Sequence, residues 1–455
     1  MLSNNSNQQQ KNHPDGAELV YQLRKVIHSH FPGLMKLLAA VPDHRKRRVY
    51  TPQEIISAAI ALFSFKEQSR NAINNDRQYS REFSSNFEKL FHCRLPHQDS
   101  VQLFFKQLPP EKLSCVQTAL VRHLIEKRVL ERYRSQGYYT IVFDASGVLS
   151  GSTDRYGCGL KRESKTGVSF QYHVLEARLV THSGLCLPIA SEWITNEQQA
   201  EYDKQDCENK AFKRMAVKIK EDFPRLPICI LADALYANSP IMSVCEQYGW
   251  KYIITLKDGN LPGVQRCLAD DPPTTCNSFI HKPKSDNQHQ TITQQYHWVN
   301  DLTHEKHWFH YISCKETICN THTPKTTTTR FVRITNMEVN ADTVIRLSKA
   351  GRMRWKIENE GFNTMKNGGY ELQHLFSRKC FNAQKNYYQC LLIAHTINQF
   401  VEHSLMVQDL LAANKKLTIK YLWQQLMEAI RGQCLCTQTI QRIENTRHQI
   451  RLRSG

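Results

Sequence analysis

The polar segment 352–369, RMRWKIENEGFNTMKNGG, carries an acid between two bases at helical spacing. On an α-helix Arg354, Glu358 and Lys366 fall on one side, because residues three or four positions apart share a face. Such a face can present one carboxylate to a metal ion beside a phosphate chain. Glu360 points the other way, so the two glutamates cannot both serve one site. The ordinary alternative is a solvated surface stabilised by i,i+4 ion pairs.

Two further acids follow short apolar runs that predict buried strands. Asp144 ends the run 138–144, and Asp233 ends the run 228–233. An acid at the carboxyl end of a strand lies at the edge of the sheet, where open α/β folds bind ligands. Neighbouring carboxylates repel unless divalent cations bind between them, and oxygen ligands suit Mg²⁺, with Mn²⁺ as a substitute. With Glu358 they predict a two-metal site for phosphodiester chemistry, although either aspartate alone is typical of a turn or helix cap.

The segments around the two aspartates alternate between strand and helix patterns, which indicates an α/β fold with a mixed sheet. After the strand that ends at Asp144, two more strands are predicted, then a helix, the strand that ends at Asp233, another helix and a last apolar strand. These elements are predicted at 168–180, 185–190, 201–223, 228–233, 239–248 and 252–256.

The charge balance of the chain is strongly basic. Its 455 residues include 60 Lys and Arg against 42 Asp and Glu, a formal net charge of +18. This balance favours a polyanionic partner, most commonly nucleic acid, over a merely soluble basic protein. The run Arg45-Lys46-Arg47-Arg48 lies just before a helix start at Thr51 and predicts contact with the DNA backbone. The alternative for this run is a solvated loop.

The rest of the chain divides into helical and β-rich regions. A capping box of Thr51 and Glu54, with Pro52 at the first helical position, marks the clearest helix. Residues 258–345 are rich in Thr, Gln and His with alternating polarity, which predicts an all-β insertion. The predicted order is a disordered N-terminus (1–16), a helical DNA-binding region (17–135), the first part of the core (136–257), the β insertion (258–345), the rest of the core (346–378), and a C-terminal helical region with a basic tail (379–455).

Several classes of protein and site are disfavoured. No apolar run is long enough to span a membrane, and the N-terminal segment lacks the apolar core of a signal peptide. Fifteen cysteines, an odd number, predict reduced thiols and a cytoplasmic location. The Cys434–Cys436 pair and the His- and Cys-rich segment 281–322 lack the spacing of zinc sites.

Four motifs resemble the DDE transposases of bacterial insertion sequences, in the insertion-sequence-four-like group whose ribonuclease-H-like core is interrupted by a β insertion. The resemblance covers residues 35–400, and the last of the motifs is highly specific. The motifs are TIVFDA (140–145), ICILADALYA (228–237), YIITLKDG (252–259) and RWKIENEGFNTMK (354–366), the last continuing into GYEL (369–372).

The resemblance implies roles for individual residues. Asp144, Asp233 and Glu358 fall on the three catalytic, metal-binding acids, and Arg354 and Lys366 on the residues that hold the terminal phosphates of the transposon end. The family signature is Tyr, then Arg three positions on, Glu four further and Lys seven beyond. This chain has Gly351 in the tyrosine position, and Lys366 follows Glu358 by eight positions.

The resemblance also implies an activity: Mg²⁺-dependent DNA strand cleavage and strand transfer at terminal inverted repeats, by a homodimer in the DNA complex. An aromatic residue of the insertion would stack on a displaced base, and Trp298 and Trp308 are the candidates, although half-buried strand residues are the simpler interpretation of both. One alternative is another nuclease on the same core, such as a junction resolvase, which gives no reason for a β insertion. The other is a non-catalytic DNA-binding protein derived from a transposase.

Overall fold

The computed structural model describes residues 15–165, 167–196, 206–270, 277–285, 289–320 and 326–453. The predicted disordered segment 1–16 therefore lies almost wholly outside the described residues. Asp15 and Gly16 are described, and the Asp15 carboxylate caps the first helix by accepting the N–H of Ala17. The N-terminal region is helical, as predicted. Its helices are α1 (Gly16–His30), α2 (Leu34–Ala39), α3 (Pro52–Ser64), α4 (Arg70–Tyr79), α5 (Arg81–Phe91), α6 (Gln98–Gln107) and α7 (Glu111–Glu126).

The capping box predicted at the start of α3 is confirmed. The Thr51 hydroxyl accepts the N–H of Glu54 at 3.2 Å, and the Glu54 carboxylate accepts the N–H of Thr51 at 2.8 Å. Arg94 also donates to this carboxylate, at 2.7 Å. Local sequence therefore fixes the start of α3, which is buried along most of its length.

The described strands form one mixed sheet in the order β2–β3–β1–β5–β6–β10–β9–β8–β7, with β4 also paired to β3. Strands β1, β5 and β6 are parallel, and the other pairs are antiparallel. The predicted mixed sheet is thus confirmed. The strands are β1 (Tyr139–Gly151), β2 (Leu160–Ser164), β3 (Gly167–Val180), β4 (Cys186–Ile194), β5 (Ile228–Ala232), β6 (Lys251–Thr255), β7 (Asn277–His281), β8 (Gln290–His304), β9 (His307–Asn320) and β10 (Thr326–Thr335).

The β-rich segment continues the sheet of the core. Strand β10 pairs with β6, with Arg333 opposite Thr255, and β9, β8 and β7 follow outward. The segment is not entirely β, because the helix α10 (Pro262–Asp270) precedes its strands. The predicted strands of this region are therefore present, but they extend the core sheet.

Helices cover both faces of the sheet. On one face, Phe143 of β1 packs on Phe212 of α8 (Glu208–Asp222), with ring centroids 4.8 Å apart, and α9 (Ser239–Tyr248) follows. On the other face, the fully buried pair Glu176–Arg178 of β3 meets Tyr388 of α13 (Phe381–Glu402). Buried charges of this kind are tolerated only when paired and hydrogen-bonded.

The C-terminal helices pack against the N-terminal ones. Arg24 of α1 pairs with Glu444 at 2.5 Å, and Arg431 pairs with Asp76 of α4 at 2.7 Å. The two predicted helical regions therefore contact each other. These helices are α14 (Leu405–Ala413), α15 (Ile419–Gly432) and α16 (Thr437–Asn445). Among the described helices, none combines the length and the apolar character needed to cross a membrane.

The continuous α-helix predicted over 352–369 is wrong. Helix α11 (Val344–Arg352) ends in a turn, and a π-helix (Ile357–Asn363) and a short α12 (Thr364–Asn367) follow. The π-helix crosses the buried guanidinium of Arg178, and a Cβ atom on Gly361 would lie 3.3 Å from the Cδ and Nε atoms of that side chain. Tertiary contact with β3 therefore accompanies the wider turn.

Candidate active site

Asp144 and Asp233 lie side by side, but only Asp233 follows the end of its strand. The prediction that the first strand ends at Asp144 is wrong, because β1 stays paired with β3 and continues to Gly151. Val142 of β1 is paired in parallel with Leu231 of β5, and two residues further along each strand come Asp144 and Asp233. Neighbouring strands are about 4.8 Å apart, and residues paired directly across a sheet point to the same face. The register therefore places the two carboxylates side by side, at the carboxyl end of β5 and within β1.

Local hydrogen bonds orient both carboxylates. Asp233 Oδ1 accepts the N–H of Leu235 at 2.9 Å and caps the short turn Ala234–Tyr236. Asp144 Oδ1 accepts the N–H of Ala145 at 3.1 Å. The helix-cap interpretation of Asp233 is thus correct as far as one oxygen is concerned. Its other oxygen makes no hydrogen bond within the described residues.

Glu358 reaches the same site from the π-helix. Burial raises the pKa of Asp144 to about 6, and the charges of Asp233 and Glu358 add to the increase, whereas Arg354 opposes it. Asp233 and Glu358 therefore both lie close enough to Asp144 to influence its ionisation. Crowded carboxylates of this kind favour a bound cation or a shared proton.

Arg354 supplies a cation to this site. Its Nη1 donates to Asp144 Oδ2 at 3.2 Å, and both side chains are largely buried. The guanidinium also lies over the ring of Trp355, 4.8 Å from the centroid. Trp355 itself is 57 % exposed beside the acids, and sequence reasoning did not single it out.

A fourth acid, Glu208, lies beside the predicted three. It begins α8, and its carboxylate accepts the hydroxyl of Tyr236 at 3.3 Å. Burial raises the pKa of Glu208 to about 7, with further contributions from Asp144 and Asp233. Phe212, one turn along α8, packs on Tyr236 and so fixes the position of this helix end. No motif in the sequence marks Glu208, because its position depends on how α8 crosses the sheet.

The π-helix changes the relation between Glu358 and Lys366. Hydrogen bonding from i to i+5 places one more residue in a turn than α-helical bonding does. The segment between Glu358 and Lys366 therefore holds more residues per turn than a regular α-helix would. The amine of Lys366 lies 5.9 Å from the centroid of the Phe362 ring.

The two tryptophans of the β-rich segment differ in exposure. Trp298 is only 4 % exposed, so neighbouring side chains cover its ring and leave no room for a base to stack on it. Trp308 is 65 % exposed at the β8–β9 hairpin. Its neighbour His307 anchors that hairpin to α9, because the ring nitrogens contact Glu246 at 2.7 Å and Ser239 at 2.9 Å. Of the two, Trp308 has the exposure that stacking requires.

The basic run before α3 is divided between structural and exposed side chains. Arg45 is held by the carboxylate of Asp43 and the carbonyl of Tyr50, and Arg48 donates to the Asp43 carbonyl at 2.9 Å. Lys46 and Arg47 are exposed, as is most of Arg48. No described contact joins this loop to the acids, so it forms a separate basic surface.

The donor set of the acidic site has the chemistry for a hard divalent cation. Asp144, Asp233, Glu358 and Glu208 offer only carboxylate oxygens, which Mg²⁺ and Mn²⁺ prefer. Arg354 already places a positive group against Asp144. As positioned, no three His, Cys, Asp or Glu side chains among the described residues are close enough together to share one ion. The residues thus fit the group chemically, and closer approach of the acids would require Arg354 to move.

No family model matches the chain, and no curated protein matches it.

Proposed function

We propose that the protein is a DDE transposase that binds the terminal inverted repeats of an insertion sequence and performs Mg²⁺-dependent DNA strand cleavage and strand transfer. The observation that carries the proposal is the register that sets Asp144 beside Asp233, with Glu358 and Arg354 brought over them by the segment after α11. The strand order β4–β3–β1–β5–β6 is compatible with a ribonuclease-H-like core.

In this proposal the acidic side chains bind metal and the basic side chain binds phosphate. Asp144, Asp233 and Glu358 would hold Mg²⁺, which when bound activates the attacking oxygen and stabilises the leaving one. Arg354 presents a planar, permanently charged donor group beside the acids, suited to a phosphodiester oxygen. Arg354 is paired with Asp144 in the absence of DNA. A phosphate that binds this guanidinium would therefore release the Asp144 carboxylate. The basic charge of the chain, +18, supports a polyanionic substrate.

Nicking of a plasmid that carries the inverted repeats flanking the gene tests the proposal. Asp144→Asn, Asp233→Asn and Glu358→Gln should each abolish nicking in Mg²⁺ and leave DNA binding largely intact. Glu360→Gln is the matched control, since Glu360 pairs with Lys356 at 3.1 Å on the same segment. It should keep activity within about tenfold, or roughly 1.4 kcal/mol of barrier. Wild-type activity in any of the three acid variants would remove that residue from the site.

The alternatives predict different results in the same assays. A junction resolvase would cut a four-way junction in preference to the repeat-bearing plasmid. A non-catalytic DNA-binding protein would bind the repeats and nick neither substrate.

A further inference from the structure

Arg333 of β10 is a buried cation without a counter-ion. Arg333 is only 4 % exposed, and no carboxylate pairs with it among the described residues. Nη1 donates to the Ser348 hydroxyl at 3.4 Å, and Nε is enclosed without any partner. Nη2 also lacks a hydrogen bond but is not fully enclosed, so it keeps a small contact with solvent. Leaving a buried charge unpaired is costly, and proteins rarely keep one without use.

The charge of Arg333 persists at neutral pH. Burial, with the nearby charges of Arg352 and Arg354, lowers its pKa to about 10. The last turn of α11 contributes Ser348 and Gly351 beside it, but the carboxyl end of a helix offers only a partial negative charge.

The backbone makes room for this guanidinium. A Cβ atom on Gly351 would overlap the Nε and Cδ atoms of Arg333. Gly351 of α11 stands where the family signature has tyrosine, and only glycine fits there. The space beside it is filled by Arg333 of β10.

The position of Arg333 relates it to the acids. Leu231 pairs with Ile253, so Asp233 aligns with Thr255, and Thr255 is paired with Arg333. Arg333 is therefore in the same row of the sheet as Asp144 and Asp233, on the same face. Two strand spacings, about 10 Å, separate it from Asp233. A few nucleotides of one DNA strand span that distance, since successive bases rise about 3.4 Å.

Both arginines near Arg333 have a carboxylate partner, whereas Arg333 has none among the described residues. Arg352 is bound by both oxygens of Glu316, at 2.8 and 3.2 Å, and Arg354 is bound by Asp144. The Cζ atoms of Arg352 and Arg333 lie 4.2 and 5.6 Å from the centroid of the Phe331 ring, so both guanidinium groups also contact an aromatic face.

We infer that Arg333 binds a backbone phosphate of the DNA strand that the acids act on, a few nucleotides from the cleaved bond. The inference rests on the proposed function and adds a residue outside the family signature. A phosphate supplies the full negative charge that the protein withholds, and it can accept a charge-assisted hydrogen bond from Nη2, the nitrogen of this guanidinium that is neither enclosed nor bonded. The site is pre-formed, so binding orders little that is not already ordered.

Arg333→Met tests the inference by DNA binding and by stability. We would measure binding of a random-sequence duplex by fluorescence anisotropy at several salt concentrations, with Ca²⁺ replacing Mg²⁺ so that no cleavage occurs. The variant should bind about tenfold more weakly, and its salt dependence should fall by about 0.9 log–log units for one lost phosphate contact. Its melting temperature should rise, because an unpaired buried charge has been replaced by an apolar group of similar size.

Arg330→Met is the matched control. Arg330 lies on the same strand three residues away, on the opposite face of the sheet, and donates to Ser313 and Tyr311. The change in net charge is the same, but binding and salt slope should stay near wild type. Arg333→Lys keeps the charge without the planar fork, so it should fold and bind with intermediate affinity.

The outcomes separate the inference from the proposed function. If the wild-type protein binds DNA and Arg333→Met binds equally well with an unchanged salt slope, the inference is wrong and the transposase proposal stands. A lower melting temperature or failure to fold in Arg333→Met would show that Arg333 is structural, which also overturns it. If the wild-type protein binds no duplex, both proposals fail.

Discussion

Arg354 and Asp144 form an ion pair, with Nη1 3.2 Å from Oδ2, so a cation already lies against the carboxylate of β1. A cation already beside Asp144 opposes a second one by Coulomb repulsion. Binding of DNA to Arg354 and binding of metal to Asp144 should therefore strengthen each other, because linkage between two ligands is reciprocal.

The first prediction concerns this competition. Arg354→Gln should bind Ca²⁺ or Mn²⁺ several-fold more tightly than wild type in the absence of DNA at pH 8, and it should lose cleavage of DNA. Calorimetry with Ca²⁺ measures the affinity separately from activity. Lys356→Gln serves as control, since Lys356 pairs with Glu360 and not with the site. Equal metal affinity in wild type and Arg354→Gln would mean that the ion pair does not limit metal binding.

The second prediction concerns Glu208. Its pKa is raised from 4.5 to about 7, by burial first and then by Asp144 and Asp233. As pH rises, the unfolded chain releases this proton before the folded one does, so the fold loses stability between about pH 4.5 and 7. Glu208→Gln cannot ionise, and its melting temperature should match wild type near pH 4 and exceed it above pH 7.

Thermal unfolding across this pH range checks the sign. Glu221→Gln is the control, because Glu221 is exposed near the other end of the same helix. If the difference in melting temperature between wild type and Glu208→Gln does not change with pH, the ionisation of Glu208 is not the cause of that difference.

Features encoded locally could be predicted from the sequence. The Thr51 capping box depends on residues three apart, and short apolar runs mark the buried, paired parts of β1 and β5 that precede Asp144 and Asp233. The continuation of β1 past Asp144 could not be predicted, because it depends on pairing with β3. The π-helix could not be predicted, since it accompanies contact between Gly361 and Arg178 of a distant strand. Glu208 and Arg333 escaped for the same reason: their surroundings come from sheet register and helix packing, and neither belongs to a motif.

The third prediction separates the two tryptophans of the β-rich segment. Trp308→Ala should leave the melting temperature unchanged, because the side chain is mostly exposed, and it should preserve first-strand nicking while impairing a later step such as hairpin formation or end release. Trp298→Ala should cost about 3–5 kcal/mol of unfolding free energy, since it empties a buried indole site. Gel assays that resolve nicked, hairpin and released DNA report the step affected. Normal double-strand cleavage by folded Trp308→Ala would assign the stacking role elsewhere.

The fourth prediction divides the basic run before α3. Lys46→Ala with Arg47→Ala should weaken binding of a random duplex and reduce its salt dependence, without changing stability, because both side chains are exposed. Arg45→Ala should instead lower the unfolding free energy by about 2 kcal/mol, since the largely buried carboxylate of Asp43 loses both guanidinium hydrogen bonds from Arg45. Denaturant unfolding and anisotropy titrations make the two measurements. An unchanged salt slope in the Lys46/Arg47 variant would make the run a solvated loop.

The last prediction uses Gly351 to test whether Arg333 is held where the structure has it. Gly351→Ala introduces a methyl group that overlaps the Arg333 side chain, and overpacking of this kind costs about 1–3 kcal/mol. In an Arg333→Ala background the space is empty, so the same methyl group should cost much less. Denaturant unfolding of the two single variants and the double variant gives the coupling energy between the two positions. A coupling energy near zero would mean that, in solution, the Arg333 side chain does not pack against Gly351. The need for glycine at position 351 would then have another cause.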